Sequence, residues 1–160
     1  MGEKTMPVTG GCLCGAIRYE STEPPNWVVC CHCRICQQAY GGLFGIGLEF
    51  PGKAFRYTKG EVTYYQSSSW AKRGFCAKCG SPVDTWYKDD PDAIVYIGTL
   101  DHPEDWPQEK HVGIESKVSW YVINDGLPQR RTDVSQHVED VKAQEFYSAR
   151  ESSRLGDRGD

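Results

Sequence analysis

Short hydrophobic runs recur along most of this chain between polar, glycine- and proline-bearing breaks, the pattern of many short strands. The runs WVVC (27–30), LFGIGLEF (43–50), AFRYT (54–58), VTYYQSS (62–68), WAKRGF (70–75), PVDTWY (82–87) and AIVYIGTL (93–100) are rich in β-branched and aromatic residues. Gly, Pro or Lys-Gly turn signals separate them. AIVYIGTL is the best candidate for a buried central strand. Residues 9–20 (TGGCLCGAIRYE) mix glycines with Ile17 and Tyr19 and predict a bent strand. CHCRICQQAY predicts a tight turn followed by a helical turn that stops at Gly41 and Gly42. HVGIE and KVSWYVI are expected to close the β region before the turn at Asn124-Asp125-Gly126.

The pattern therefore predicts one mostly β domain of many short strands over residues 9–131. A flexible N-terminus (1–8) precedes it and an extension (132–160) follows. Within the extension, Val134, Val138 and Val141 are spaced as on a helix, and SSRLGDRGD reads as a disordered tail. A chain of 160 residues suits one core, and its nine Tyr, five Trp and five Phe supply the aromatic area for it.

The formal net charge of −4 gives no basic face for nucleic acid and no reason to expect an anionic membrane as partner. No stretch reaches the ~20 apolar residues of a membrane helix. MGEKTMPVTG is polar, broken by Pro7, and unlike a signal peptide, so the expected setting is cytoplasmic.

Eight cysteines change the picture. They crowd into three short clusters, and a bridge between Cys12 and Cys14 would close a tiny strained ring. Reduced thiols that bind metal fit better than disulfides. Cys12-Leu-Cys14-Gly15 and Cys76-Ala-Lys-Cys79-Gly80 each put two thiols within reach of one ion, and the glycine lets the backbone turn behind the second sulfur. One tetrahedral zinc held by both knuckles would tie the start of the domain to its middle. A redox-active Cys-x-x-Cys would need a βαβ context that is missing here.

Cys31-His-Cys33-Arg-Ile-Cys36 is different, because its three thiols have no matching pair elsewhere. In an extended segment Cys31 and Cys33 share a face, the turn returns Cys36 to it, and Cys30 points away. Three protein ligands with one open position make a catalytic zinc site. Two alternatives stand beside this reading: Cys30 closes a second structural tetrahedron, or a histidine such as His32, His102 or His111 fills the fourth position. An open position suits an exogenous thiol, which zinc deprotonates, and the resulting sulfur can attack a small carbonyl carbon. The reverse step cleaves a hemithioacetal.

Gly11-Cys12-Leu-Cys14-Gly15, Cys31-His-Cys33-x-x-Cys36 and Gly74-Phe75-Cys76-x-x-Cys79-Gly80 together resemble the glutathione-dependent formaldehyde-activating (Gfa-like) enzymes, a family that includes the centromere protein V group. Phe55-Arg56-Tyr57-Thr58-Lys59-Gly60, Ile97-Gly98-Thr99-Leu100-Asp101 and Asp125-Gly126-Leu127-Pro128 extend the resemblance over residues 9–131. It implies a β-tent fold of antiparallel sheets around a structural zinc on Cys12, Cys14, Cys76 and Cys79. It also implies a catalytic zinc on Cys31, Cys33 and Cys36, and hence two zinc ions per chain. The implied activity is that of a carbon–sulfur lyase on S-hydroxymethylglutathione, the adduct of formaldehyde and glutathione, or a related small thiol adduct. Arg34, Lys72, Arg73 and Lys117 are candidate partners for glutathione carboxylates by charge, and Tyr40, Phe44 and Trp120 are candidates to line a pocket. The extension past Asp133 lies outside the resemblance and is either a contact of a homodimer or a tail without function. The competing reading is a non-catalytic zinc module that binds a protein or small ligand. Methionine sulfoxide reduction would need a redox cysteine late in the chain, and none follows Cys79.

Overall fold

A computed structural model describes residues 6–69 and 71–132. The helix expected over 134–149 and the expected tail lie outside the described residues. Eleven strands and one helix appear among the described residues: β1 (Val8–Gly11), β2 (Arg18–Ser21), β3 (Trp27–Cys31), α1 (Arg34–Tyr40), β4 (Gly45–Phe50), β5 (Phe55–Lys59), β6 (Thr63–Gln66), β7 (Ala71–Phe75), β8 (Pro82–Tyr87), β9 (Ala93–Tyr96), β10 (Lys110–Val112) and β11 (Gln129–Arg130). Three-residue 3-10 turns over Ile97–Thr99, Pro103–Asp105 and Ile114–Ser116 link the later strands.

The strands form two sheets, a small one in the order β1-β2-β5 and a large one in the order β11-β10-β3-β4-β9-β8-β7-β6. The mostly β architecture with short helical turns is the one that the short β-branched and aromatic runs predict. Neighbours pair antiparallel except where β10 lies parallel to β3 and to β11. β9 is buried along its whole length in the middle of the large sheet, as its sequence predicts.

Three local readings change. Residues 9–20 form two strands, β1 and β2, paired antiparallel on either side of the first cysteine knuckle. The bend expected from the glycines is a full reversal, because Gly15 takes φ 70°. The run AIVYIGTL is strand only to Tyr96 and then winds into a 3-10 turn. KVSWYVI is not a strand: after Gly113 turns at φ 66° the chain makes tight turns, which leave Trp120 and Val122 largely exposed.

The pleat of the large sheet sorts side chains to two faces. Val28, Leu48, Val95 and Asp84 lie in one cross-strand row on the face toward the small sheet. There Tyr19 and Phe55 of the small sheet pack with ring centroids 5.3 Å apart, and Phe55 meets Phe50 at 6.3 Å and Trp86 at 6.2 Å. The opposite face carries Trp27, Val29 and Cys31, which pair with Glu49, Gly47 and Gly45 on β4. This second face floors a cavity.

Candidate functional site

The first knuckle sits between β1 and β2, and the second between β7 and β8. The two chain segments approach so that Leu13 N–H donates to Ser81 Oγ at 3.1 Å. Cys12, Cys14, Cys76 and Cys79 bring their sulfurs together, within 4.8 Å of one another. Cys12 Sγ is 3.6 Å from Cys14 Sγ, which is 3.9 Å from Cys76 Sγ. Two sulfurs on one tetrahedral zinc, each at about 2.3 Å from it, stand roughly 3.8 Å apart. The donor set and its spacing therefore fit a zinc-class ion.

Hydrogen bonding favours the charged form at two of these sulfurs, Cys12 and Cys79, whereas at Cys14 the pull of the Ala16 backbone is outweighed by burial and the neighbouring thiols, which push it up to about 11. Ile17 N–H donates to Cys12 Sγ at 3.2 Å, which offsets the burial that acts against ionisation and leaves that thiol lowered. Cys79 is pulled down to about 6, first by the hydroxyl and then by the backbone of Ser81. Gly15 and Gly80 hold positive φ behind the second cysteine of each knuckle, the turn the sequence reading required.

Cys31, Cys33 and Cys36 also come together, with their sulfurs within 4.8 Å of one another. Cys31 ends β3, Cys33 caps α1, and Cys36 lies in the first turn of that helix, its N–H donating to Cys33 Sγ at 3.4 Å. Gly41 at φ 69° ends the helix after Tyr40, as expected. The sulfurs oppose one another's ionisation. Cys33 and Cys36 push Cys31 well up, and burial adds to this. At Cys36 the pull of the Cys31 thiol is outweighed by Cys33 and burial, so this thiol too is raised. Three mutually repelling thiolates in one place are a strong cation site.

The triad opens into a cavity of about 330 Å³ floored by β3, β4 and β8 and lined also by Ile35, Tyr40 and Arg73. A larger groove of about 570 Å³ runs past Cys12, Phe44 and Asp101, and Tyr40 borders both. The smaller cavity is the one of chemical interest because all three triad cysteines line it. Gly45 makes room for its wall: a Cβ there would fall 2.3 Å from the Tyr40 ring.

Cys30 is fully buried on the opposite face of β3. Its sulfur is 3.6 Å from His32 Nε2, and that nitrogen is 2.9 Å from His111 Nδ1. His111 Nε2 in turn donates to Asp125 Oδ2 at 2.8 Å, which fixes His111 Nδ1 as the acceptor for a proton on His32 Nε2. Two imidazoles on one tetrahedral zinc would hold their nitrogens roughly 3.3 Å apart, so 2.9 Å reads as a hydrogen bond. Neither Cys30 nor His32 lies with the triad. His102 is exposed beside Glu104, and His137 lies outside the described residues.

The structure separates the other candidates. Arg34 bonds Gln37 on its own helix, Lys72 lies 4.5 Å over the Tyr64 ring, and Lys117 donates to backbone carbonyls of Val118 and Tyr121. Of the four cations only Arg73 reaches the triad cavity. Of the three aromatics Tyr40 lines it, Phe44 packs on His32 at 5.2 Å, and Trp120 faces solvent. Sequence reasoning missed the Cys30–His32–His111–Asp125 network. The two-residue spacing of Cys30 and His32, opposite to Cys31 and Cys33, was a signal for its first half. His111 and Asp125 come from 79 and 93 residues beyond His32 and gave none.

Comparison with known proteins bears on the fold and the family. A crystal structure of a Rhodobacter sphaeroides protein superposes with a TM-score of 0.51 at 22% identity, covering 76% of this chain and 98% of the other, which speaks for the fold alone. An uncharacterized lyase of Schizosaccharomyces pombe, C29B12.13, is 34% identical over 81 residues, or 46% of this chain and 53% of the relative. The chain thus matches about half the length of that curated relative. The sequence profile of the glutathione-dependent formaldehyde-activating enzymes matches residues 7–116, well over half of the chain. With its cysteine knuckles and triad lying inside that match, the chain belongs to the glutathione-dependent formaldehyde-activating enzyme family.

Proposed function

We propose that this protein is a carbon–sulfur lyase that makes and breaks the adduct of a small thiol with a small aldehyde, S-hydroxymethylglutathione being the reading the family favours. Cys31, Cys33 and Cys36 would hold a catalytic zinc, and Cys12, Cys14, Cys76 and Cys79 a structural one. The unit is the domain of residues 9–131, working in the cytoplasm, where its thiols stay reduced; all eight cysteines are free. The observation that carries this reading is the count of sulfurs at the cavity. Three converge there, and the neighbouring Cys30 is turned to the other face.

A bound zinc supplies positive charge that keeps an incoming fourth sulfur as its thiolate. The chain's own residues do the rest. Cys31 and Cys33 are fixed by the end of β3 and the cap of α1, and the first helical turn brings Cys36 to them. Val29, Ile35 and Val112 give the cavity an apolar part of its wall. In the synthetic direction the substrate's thiolate sulfur attacks the aldehyde carbon and a C–S bond forms. The carbonyl π pair moves to oxygen, which takes up one proton. In the lyase direction the hydroxyl gives up that proton, the C=O bond re-forms, and the C–S pair leaves on sulfur.

Exchange spectroscopy on an equilibrium mixture of formaldehyde and glutathione tests this directly. The exchange rate should rise in proportion to protein concentration. A rate equal to that of buffer alone would remove the named substrate.

A further inference from the structure

One cation of the triad cavity, Arg73, bonds to no acid among the described residues. Arg73 stands in the middle of β7, paired with Thr85 on β8. Its Nη1 donates to Thr85 Oγ1 at 3.0 Å and to the Tyr96 hydroxyl at 3.4 Å, and those two hydroxyls share a hydrogen bond of 2.7 Å. Both acceptors are neutral. Among the described residues Arg73 forms no ion pair, and its Nε is fully enclosed without an acceptor. A guanidinium taken out of water is costly unless an anion answers it. Burial works against its charge, but Tyr96, Cys36 and Tyr87 around it favour the charged form.

The cavity holds other charges as well. Lys110 lines it, as do Glu49 and Asp90. Asn26 donates to Glu49 at 3.2 Å, and Asp90 receives the N–H of Asp92 at 2.9 Å. Neither carboxylate bonds to Arg73. The guanidinium is thus anchored through Nη1 by Thr85 and Tyr96 and lines the cavity with no acid bonded to it among the described residues. Planar bidentate recognition of a carboxylate is the chemistry for which a guanidinium is suited.

We propose that Arg73 is a specificity residue of the triad cavity and receives a carboxylate of the thiol substrate. Arg73 would then be the residue that selects a carboxylate-bearing thiol, as glutathione is, over a simple alkanethiol. This rests on the lyase reading for its substrate, but its test is a binding measurement that needs no turnover.

S-methylglutathione keeps both carboxylates and has no thiol to ionise. Its diethyl ester lacks the carboxylates. Calorimetric titration of the zinc-loaded protein should show the acid binding at least tenfold more tightly than the diester. Arg73→Gln should bring the two to within about twofold, and Arg73→Lys should keep part of the preference. Equal binding of acid and diester by the unaltered protein, which depends on no variant folding, would overturn the proposal. So would a preference that survives in a folded Arg73→Gln protein. If exchange assays show no activity while the preference holds, the lyase reading falls and the carboxylate subsite stands.

Discussion

His32 Nε2 lies 2.9 Å from His111 Nδ1, which joins the turn between two triad cysteines to a strand 79 residues away. The bond continues to Asp125, and the backbone repeats the tie: His32 N–H donates to Val112 O, and His32 O accepts from Gln37 Nε2. The segment carrying Cys31 and Cys33 is therefore held from behind, by groups that do not face the cavity. His111→Ala should cost about 1–3 kcal/mol, since it leaves His32 buried without its partner. It should also loosen metal at the triad while leaving the four-cysteine site intact. Urea unfolding and cobalt titration of the variant check the two halves.

The same pair sets a pH dependence. Burial, and next the facing His111, hold the His32 imidazole below its ordinary value of 6.5. The unfolded chain accepts a proton there that the folded chain refuses. The contribution is complete above pH 6.5 and is lost as pH falls from there to the folded value. Stability measured by urea unfolding should decline over that interval, and a folded His32→Gln variant should decline less steeply.

The two cysteine groups should respond differently to loss of a ligand. Cys76 is buried where two strand pairs meet, so Cys76→Ser should abolish cooperative unfolding, structural zinc being worth as much as a small domain's stability. Cys33→Ala removes a helix cap at a cost of about 1 kcal/mol and one ligand of the open site. It should remain folded and lose turnover. Under a chelator, the first equivalent of zinc should leave from the three-ligand site. Equal melting of the two variants would contradict the division of roles.

Gly45 is an independent handle on the cavity. A methyl group added there meets the Tyr40 ring at 2.3 Å, and overpacking of this kind costs about 1–3 kcal/mol. Gly45→Ala should displace Tyr40 from the cavity wall and change substrate affinity without touching a cysteine. A calorimetric binding curve identical to that of the unaltered protein would mean that Tyr40 does not shape the cavity.

Asp84 joins the two sheets. It is fully buried, and its Oδ2 accepts from the hydroxyl of Tyr57 on β5, from Tyr64 at 3.2 Å and from Trp86 Nε1 at 2.8 Å. Asp84→Ala leaves these donors unanswered and should cost about 2–5 kcal/mol, measurable in denaturant unfolding.

Much of this was readable in the chain, for identifiable reasons. Cys12, Cys14, Cys76 and Cys79 share a site because the glycine behind each knuckle allows the positive-φ turn that brings its two sulfurs together. Cys31, Cys33 and Cys36 share one because strand and helix periods together dictate it. β-branched and aromatic runs between turn signals located β3 to β9, including β6, which lies at the sheet edge and is exposed along its whole length. Longer-range pairing was not readable. Nothing local says that β10 lies parallel to β3, so the His111 partner of His32 stayed hidden. Charge alone named Arg73 as one of four candidate cations, and only the pairing of β7 with β8 shows that it is the one at the cavity. KVSWYVI has strand composition, but Gly113 and the turns after it carry it away from the sheet.

Cobalt absorption in the near ultraviolet tests the vacancy at the triad most directly. With both sites loaded, added glutathione should raise the sulfur-to-cobalt charge-transfer band by about one further thiolate. The same addition to Cys33→Ala should not reproduce that step. A spectrum of the loaded protein that glutathione leaves unchanged would mean that no position accepts the substrate's sulfur.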